Sequence, residues 1–285
     1  MSKHYDEVKK YFSDKAEKYD MVDEQLYWKL SDELLKKIVE EKIIKSNSSK
    51  KKLNILDAGA GTGRWSLILH DLFKKEKIET RIDMVDITEE MLSEANEKIK
   101  NKKNSKYFNS YVENIEDLSF LEDDYYDVAI SFYNVLSFTK NPLIAIKEIY
   151  KKVKKGGVYT SIVSNKYHSY FFKILTNDIK GLDVIKNDSL IKFNDKMPFI
   201  RCFTPNEIKD YYKKANFVNV EVFGFPNFVY PNIEDTFIEG QNIKNKNILN
   251  DKNNFNRIMD LEFSKCFNEE LASRGNVLLV FGKKQ

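Results

Sequence analysis

One short stretch constrains the fold of this chain more than any other, the turn Gly59-Ala60-Gly61-Thr62-Gly63. It follows an apolar strand candidate, Leu53–Asp57, and precedes an amphipathic helix that begins near Trp65. Glycines at such a turn let the backbone bend sharply and approach a ligand closely. A glycine turn standing alone is a weak signal, since it also serves as a tight connection between strand and helix.

The segments around this turn alternate between strand and helix patterns. Further strand candidates are 81–86, 106–112, 127–132, 158–163, 218–223 and 276–281, and helix candidates include 142–153 and one beginning at Thr204. Such alternation predicts an α/β fold, a Rossmann-like and mostly parallel sheet with helices on both faces. Residues 1–50 read as helical, with Leu30, Leu34 and Ile38 on one face of a helix.

Two long segments interrupt the alternation, at 165–203 and 226–274. Segments of this length inside a compact domain are usually lids or caps with helices of their own. We therefore expect a single domain over 1–285, with an N-terminal helical lid at 1–50 and two substrate caps. The aromatic run 166–172 in the first cap suits either the wall of an apolar pocket or a membrane-facing surface. The pocket is favoured, because basic residues show no clear helical spacing around the run.

Composition excludes several classes of protein. The chain has 47 Lys and Arg against 44 Asp and Glu, a net charge of +3, which argues against a dedicated nucleic-acid surface. Cys202 and Cys266 are too far apart in sequence for a CxxC pair, so we expect neither a disulfide scaffold nor a metal site. No apolar run approaches the roughly 20 residues that span a bilayer, and the first residues lack a signal peptide's apolar core. The prediction is a cytoplasmic protein without nucleic-acid or membrane partners.

Asp86 gives the glycine turn a chemical context. It closes the second strand candidate, and an acid at that point of a doubly wound sheet can accept both hydroxyls of a ribose. The alternative is a helix N-terminal cap. The spacing Gly59-x-Gly61-x-Gly63 is not the GxGxxG of dinucleotide-binding loops, and Arg64-Trp65 is bulky where that motif has its last glycine.

Together, the ordered motifs make the resemblance specific. The runs 56–63 (LDAGAGTG), 85–92 (VDITEEML), 114–120 with 126–131, 153–157 (VKKGG) and 203–207 (FTPNE) resemble the class I S-adenosylmethionine-dependent methyltransferases of the small-molecule type. The resemblance covers about 53–225 and the final strand. It implies a seven-stranded sheet and S-adenosyl-L-methionine as the cofactor.

The resemblance also implies roles for individual residues. Glycines of the turn would face the methionine and sugar, Asp57 would hold the α-amino group, and Asp86 the ribose. Asn114 stands where the family usually has an aspartate that reads the adenine amino group, and its uncharged carbonyl accepts a weaker hydrogen bond. The cofactor-binding positions are Asp57, Gly59, Ala60, Gly61, Gly63, Asp86, Ile87, Met91, Asn114, Ile115 and Ser131.

Three residues are candidates for the catalytic step. Tyr133, with Asn134 beside it, follows the fourth strand and would end next to the transferred methyl group. Tyr19 lies in a segment resembling the one that closes over the cofactor in relatives, where a ring face favours a cation. His168, in the aromatic run, is a candidate general base. Packing roles remain the alternative for all three.

These observations predict methyl transfer to a nitrogen or oxygen of a small-molecule acceptor, without metal. Methylation of a peptide or protein is the alternative within the enzymes, and a non-catalytic cofactor-binding module is the alternative outside them. Base methylation in nucleic acids is disfavoured, because Tyr133-Asn134-Val135-Leu136 lacks the Asn/Asp-Pro-Pro-aromatic motif. The sequence leaves the acceptor and the oligomeric state open.

Overall fold

The structure is a computed structural model that describes residues 3–229 and 248–285. In these residues nine strands form one sheet. The strands are β1 (Lys52–Ala58), β2 (Glu79–Asp86), β3 (Phe108–Val112), β4 (Tyr126–Ser131), β5 (Val153–Asn165), β6 (Leu190–Ile191), β7 (Ile200–Phe203), β8 (Val218–Phe225) and β9 (Val277–Lys283). The helices are α1 (Lys3–Ser13), α2 (Leu26–Val39), α3 (Arg64–Lys75), α4 (Glu89–Asn101), α5 (Val135–Phe138), α6 (Pro142–Lys152), α7 (Lys166–Leu175), α8 (Ile179–Asp188), α9 (Pro205–Lys214) and α10 (Lys252–Lys265).

The sheet confirms the predicted Rossmann-like α/β class. Strands run in the order β3-β2-β1-β4-β5, all parallel, and β9 pairs antiparallel with both β5 and β8. Beyond these seven strands, β7 pairs parallel with the end of β5, and β6 pairs antiparallel with β7. Chain order reverses between β1 and β4, so a crevice opens at the carboxyl ends of the strands beside β1, where open α/β sheets bind ligands.

Apolar spacing accounts for how the N-terminal helices pack. In α2, Leu30, Leu34 and Leu35 are fully buried, in one cluster with Leu69 of α3 and Ile55 of β1. This helix is therefore part of the core. The cover over the crevice comes from α1 and from a 3-10 helix, Ala16–Glu24, that follows it.

The two predicted insertions contain elements of their own. The first, 165–203, consists of α7, α8, β6 and β7. Of the second, 226–274, residues 230–247 lie outside the described residues, and the rest includes α10. Glu262 of α10 is buried and accepts the backbone N–H groups of Asn227, Phe228 and Val229 at 2.8, 2.7 and 2.9 Å. Within the described residues, no helix combines the length and apolarity needed to span a membrane.

Candidate functional site

The glycine turn lies between β1 and α3 and is held against β2. The N–H groups of Gly59 and Ala60 donate to the carbonyl of Val85 at 2.7 and 3.1 Å. The turn's three glycines have φ angles of 95°, 53° and 69°, in the left-handed region. A Cβ on Gly59 would lie 2.3 Å from Val135, whereas a Cβ on Gly61 would meet nothing within 4 Å. Gly59 is therefore required by packing, and Gly61 leaves open space.

Asp86 ends β2 directly beside this turn. One carboxylate oxygen accepts the N–H of Gly61 at 2.8 Å, and the other accepts the N–H of Thr88 at 2.9 Å. Burial raises the pKa of the Asp86 carboxyl above its usual value, and these backbone donors oppose the shift. Because a carboxylate oxygen can accept more than one hydrogen bond, both oxygens of Asp86 can also accept hydrogen bonds from the hydroxyls of a ligand.

A cavity with about 650 Å³ of empty space opens over the turn and the ends of β2, β3 and β4. Its wall includes nine of the residues predicted from the sequence: Tyr19, Gly59, Gly61, Asp86, Ile87, Met91, Asn114, Ile115 and Tyr133. Its other residues are Tyr5, Val8, Phe12, Glu113, Phe132, Val135, Phe138 and Thr139. We call this space the first cavity. Its open floor at Gly61 and the accepting pair of oxygens on Asp86 fit a nucleoside with a flexible chain.

Asp57 and Ser131 are not part of the wall of the first cavity. Asp57 is buried, accepts the Ser66 hydroxyl at 2.6 Å, and has its pKa raised by burial to about 7. Ser131 is fully buried and accepts the Tyr159 hydroxyl at 3.1 Å. Ala60 and Gly63 also lie outside the wall, although both belong to the turn itself. The sequence-derived roles of these four residues remain predictions.

Asn114 and Ile115 follow β3 and contribute to the wall as expected. The Asn114 side-chain oxygen accepts the N–H of Glu116 at 3.0 Å, which stabilises the turn after β3. A carbonyl oxygen has a second lone pair, so this bond does not exhaust its capacity to accept. Adenine recognition by Asn114 therefore stays a prediction.

The structure does not bring His168 to the site. It lies in α7, is 5% exposed, and contributes to the wall of neither cavity described here. Burial lowers the pKa of His168 to about 4, so the ring is neutral near pH 7. Neighbouring Tyr167 and Phe171 are exposed and line neither of these two cavities, so the structure does not place them in the wall of the first or the second cavity.

Two N-terminal elements, α1 and the 3-10 helix Ala16–Glu24, contribute Tyr5, Val8, Phe12 and Tyr19 to the wall of the first cavity. We call these two elements the lid, and its opening and closing remain a prediction. The Tyr5 hydroxyl donates to the Glu116 carboxylate and accepts the N–H of Lys140 at 3.0 Å. Asp20 accepts the Thr62 hydroxyl at 2.7 Å, which ties the lid to the glycine turn. Tyr5 was not predicted from the sequence, because its partners are more than 110 residues away.

A second cavity with about 820 Å³ of empty space adjoins the first. The two share Phe12, Tyr19, Tyr133 and Phe138. The remaining wall consists of Tyr11, Lys15, Trp28, Arg64, Asn134 and Met197. Aromatic rings with two cationic side chains thus surround a space next to the first cavity.

Tyr133 stands between the two cavities on an unusual turn. Tyr133 and Asn134 have φ angles of 59° and 69°, a left-handed conformation that is strained for residues with a side chain. The N–H of Asn134 donates to the carbonyl of Ile162 at 3.0 Å, which fixes this turn to β5. Such strain at a cavity wall is a feature of functional sites.

A buried charge network adjoins Tyr133. Its hydroxyl donates to the carboxylate of Asp32 on α2, and Arg64 at the start of α3 forms an ion pair with the same carboxylate. Asp32 is 3% exposed. Burial raises the pKa of the Tyr133 hydroxyl well above its usual value, and Arg64 opposes the shift. Sequence reasoning missed Asp32, and it considered Arg64 only as a mismatch to dinucleotide loops.

Comparison with known proteins indicates the family. A model of the ubiE/COQ5 methyltransferase family matches residues 1–185. The Rickettsia bellii (strain OSU 85-389) ubiquinone/menaquinone biosynthesis C-methyltransferase UbiE is 27% identical over 232 residues, 75% of this chain and 85% of that protein.

Solved structures share the fold at lower identity. A Thermotoga maritima methyltransferase, described as a possible histamine N-methyltransferase, is 18% identical with a TM-score of 0.53, covering 97% of this chain and 99% of that one. Geranyl diphosphate C-methyltransferase from Streptomyces coelicolor A3(2) is 12% identical with a TM-score of 0.54, covering 87% and 79%. The chain belongs to the ubiE/COQ5 methyltransferase family and is an S-adenosylmethionine-dependent methyltransferase.

Proposed function

We propose that this enzyme methylates a ring carbon of a small hydroxylated aromatic acceptor held in the second cavity. The observation that carries the proposal is the second cavity itself, aromatic-walled and joined to the first through Tyr133. Stacking on rings such as Trp28 favours a planar acceptor, and Arg64 favours an oxygen that becomes negative. The Rickettsia relative's name, a C-methyltransferase of ubiquinone and menaquinone biosynthesis, supports carbon over the nitrogen or oxygen expected from the sequence.

The first cavity fits S-adenosylmethionine, which supplies an electrophilic methyl group. Asp86 would accept the ribose hydroxyls, the open side of Gly61 would leave room for the methionine chain, and Met91 and Ile87 would pack on the adenine. The ring face of Tyr19, in the wall of both cavities, would lie near the positive sulfur. The lid would exclude water from the reacting atoms.

Carbon methylation needs the acceptor's hydroxyl proton removed so that the ring carbon becomes nucleophilic. The Tyr133 hydroxyl would pass its proton to Asp32 and take the proton from the acceptor's hydroxyl. Arg64 would stabilise the acceptor's phenolate that results. A bond then forms between methyl and ring carbon as the sulfur–methyl bond breaks. The proton on the methylated ring carbon would then pass to water as the ring becomes aromatic again, and the proton held by Asp32 would return through Tyr133 to the acceptor's oxygen, which restores the relay. Tyr133 and Asp32 thus act as one relay.

Labelled cofactor with simple hydroquinones and naphthohydroquinones tests the acceptor class. We expect the labelled methyl on a ring carbon by NMR of the product, together with released S-adenosylhomocysteine. A methyl group on oxygen, or transfer only to added amines, would contradict carbon methylation. Labelling of protein rather than of any metabolite would favour the peptide alternative.

Tyr133→Phe tests the relay. The variant keeps the ring but removes the hydroxyl, so we expect turnover to fall roughly 10²–10³-fold, as general acid–base contributions do. Affinity for S-adenosylhomocysteine by calorimetry should stay within roughly twofold. Tyr107→Phe, a tyrosine outside both cavity walls, is the matched control and should turn over normally. Unchanged turnover in Tyr133→Phe would contradict the relay.

A further inference from the structure

The two cations in the wall of the second cavity differ in how they are neutralised. Arg64 forms an ion pair with the buried carboxylate of Asp32. Among the residues that the structure describes, Lys15 has no carboxylate within ion-pair distance. The same residues contribute no aspartate or glutamate to this wall. The second cavity therefore carries one positive charge that its described wall does not balance.

Lys15 is held in place by the backbone and by one aromatic ring. It lies in the turn that joins the two elements of the lid, and its N–H donates to the Phe12 carbonyl at 3.0 Å. Its Nζ donates to the Tyr11 hydroxyl at 2.5 Å and lies 3.9 Å from the centre of the Tyr11 ring. A tyrosine ring attracts a cation without neutralising its charge. An ammonium group has three N–H donors, so two of them can serve a ligand.

The surroundings of Lys15 fit an anion that stays near water. Asp14 and Glu17, the acids nearest to it along the chain, are exposed and lie outside the wall. Lys15 is itself exposed, whereas Met197 in the same wall is only 8% exposed. A carboxylate beside Lys15 would keep part of its hydration, which limits the desolvation cost of binding it. The ring that carries this carboxylate can then enter the aromatic part of the cavity.

We propose that Lys15 is a specificity-determining residue, which selects hydroxylated aromatic acceptors that also carry a carboxylate. Its ammonium group donates hydrogen bonds to that carboxylate, while Tyr133 and Arg64 act on the hydroxyl beside the reacting carbon. The inference rests on the proposed function for the identity of the reacting ring. Two anchors on one planar ring also fix which carbon faces the methyl group. Lys15 takes no part in the proton relay.

A matched pair of acceptors tests the selection. Gentisate is a dihydroxylated benzoate whose carboxylate is ionised near pH 7, and methyl gentisate has a neutral ester on the same ring carbon. We expect the wild-type KM for gentisate to be roughly 5–10-fold below that for the ester, as for a partly exposed charge-assisted hydrogen bond. Added salt should narrow the difference, because the Lys15 ammonium is exposed.

Variants at Lys15 connect the preference to this side chain. Lys15→Gln removes the charge, and we expect it to raise the KM for gentisate roughly 5–10-fold with little change in kcat. Its KM for the ester should stay unchanged. Lys15→Arg keeps the charge and should restore the preference for the acid. Lys18→Gln is the matched control, because Lys18 is also exposed in the lid but lies outside both cavity walls, and it should behave as the wild type does.

Binding measured without turnover separates this inference from the proposed function. Calorimetry compares gentisate with its ester on enzyme saturated with S-adenosylhomocysteine, and we expect the acid to bind more tightly only where position 15 is cationic. Equal affinities in the wild type, gentisate that does not bind, or a preference that survives Lys15→Gln would each overturn the role of Lys15. A preference that Lys18→Gln also abolishes would assign it to the general charge of the lid instead. Methylation on oxygen, with a preference that depends on Lys15, would contradict the proposed function alone.

Discussion

At the scale of single residues, Asp57 is a carboxyl whose protonation is set by the fold. Burial raises its pKa to about 7, the Ser66 hydroxyl opposes the shift, and the charge of Asp86 adds to it. In the unfolded chain the carboxyl has a pKa near 4. Ionisation is thus disfavoured in the fold, and the unliganded protein loses stability as the pH rises from about 4 through 7. A ligand ammonium group near Asp57 would favour the ionised form.

Cofactor binding should therefore depend on pH through Asp57. We expect S-adenosylhomocysteine to bind roughly tenfold more weakly at pH 6 than at pH 8, since each unit below a pKa of about 7 costs about 1.4 kcal/mol. Calorimetry across this range, in buffers of different ionisation enthalpy, should also detect a released proton. Asp57→Asn should flatten the dependence. His168→Gln is the control and should keep it, because His168, with a pKa of about 4, is already neutral over this range. An affinity independent of pH in the wild type would contradict pairing with the α-amino group.

Local sequence predicts some site residues and not others, for a physical reason. Asp86 could be predicted because strand β2 places its last residue beside the glycine turn, as parallel strand ends meet at one edge. Asp32 could not, because its contact with Tyr133 joins residues 101 apart through the packing of α2. His168 was a plausible base by type, but it is buried in α7 away from the cavities. Chemistry that arises from tertiary packing is not visible in a local motif.

At the scale of elements, the three glycines of the turn serve different purposes: Gly59 and Gly63 are needed for packing, and Gly61 for ligand binding. A Cβ added to Gly59 would collide with the Val135 side chain. A Cβ added to Gly63 would lie 2.8 Å from the Cβ of Ala95. Gly61 has open cavity there. A side chain at Gly59 or Gly63 would disturb the packing of the turn against the helices. A side chain on Gly61 would occupy the space needed by the cofactor.

Gly61→Val should fold and fail to bind. The positive φ of Gly61 costs a branched residue about 1–2 kcal/mol of unfolding free energy. We expect S-adenosylhomocysteine affinity to fall roughly 100-fold or more, since the valine fills the cavity floor. Gly156→Val is the matched control, because Gly156 has a φ of 79° and equally open surroundings but lies outside the first cavity. It should show a similar loss of stability in chemical denaturation with normal affinity. Equal affinities in the two variants would contradict the placement of the methionine chain.

Sequence patterns predict the boundaries of several strands poorly. The strand predicted at 158–163 extends over 153–165, with Gly156 and Gly157 inside it. Gly156 is accommodated because its N–H donates to the Lys284 carbonyl at 2.8 Å, a partner beyond the end of β9. Strands β6 and β7, of two and four residues, are too short for an alternating pattern. The helical pattern within 1–50 and the helix start at Thr204 were predicted, because the apolar spacing of α2 and the residues that begin α9 are local in sequence.

At the scale of the whole molecule, the lid contributes to the walls of both cavities. Phe12 and Tyr19 of the lid are in the walls of both spaces. The lid is attached by polar contacts such as Asp20 with Thr62, and His4 Nε2 lies 2.7 Å from the Phe138 carbonyl. Among the lid residues at 3–13 and 16–20, only Val8 and Ala16 are buried. A cover with little buried apolar surface is expected to open at low free energy, which predicts that ligands enter by its local unfolding.

Ligand binding should therefore protect the lid from proteolysis. Lys15 and Lys18 are exposed lid residues, and trypsin cleaves there when the lid opens. With S-adenosylhomocysteine at about ten times its Kd, cleavage at these sites should slow roughly tenfold, because a ligand that binds only the closed form lowers the open population by that factor. Mass spectrometry of timed digests follows each site separately. Lys103, in the exposed turn after α4, is the internal control and should be cleaved at an unchanged rate. Equal slowing at Lys103 would indicate global stabilisation, and no slowing at Lys15 and Lys18 would mean that the ligand reaches its cavity without the lid.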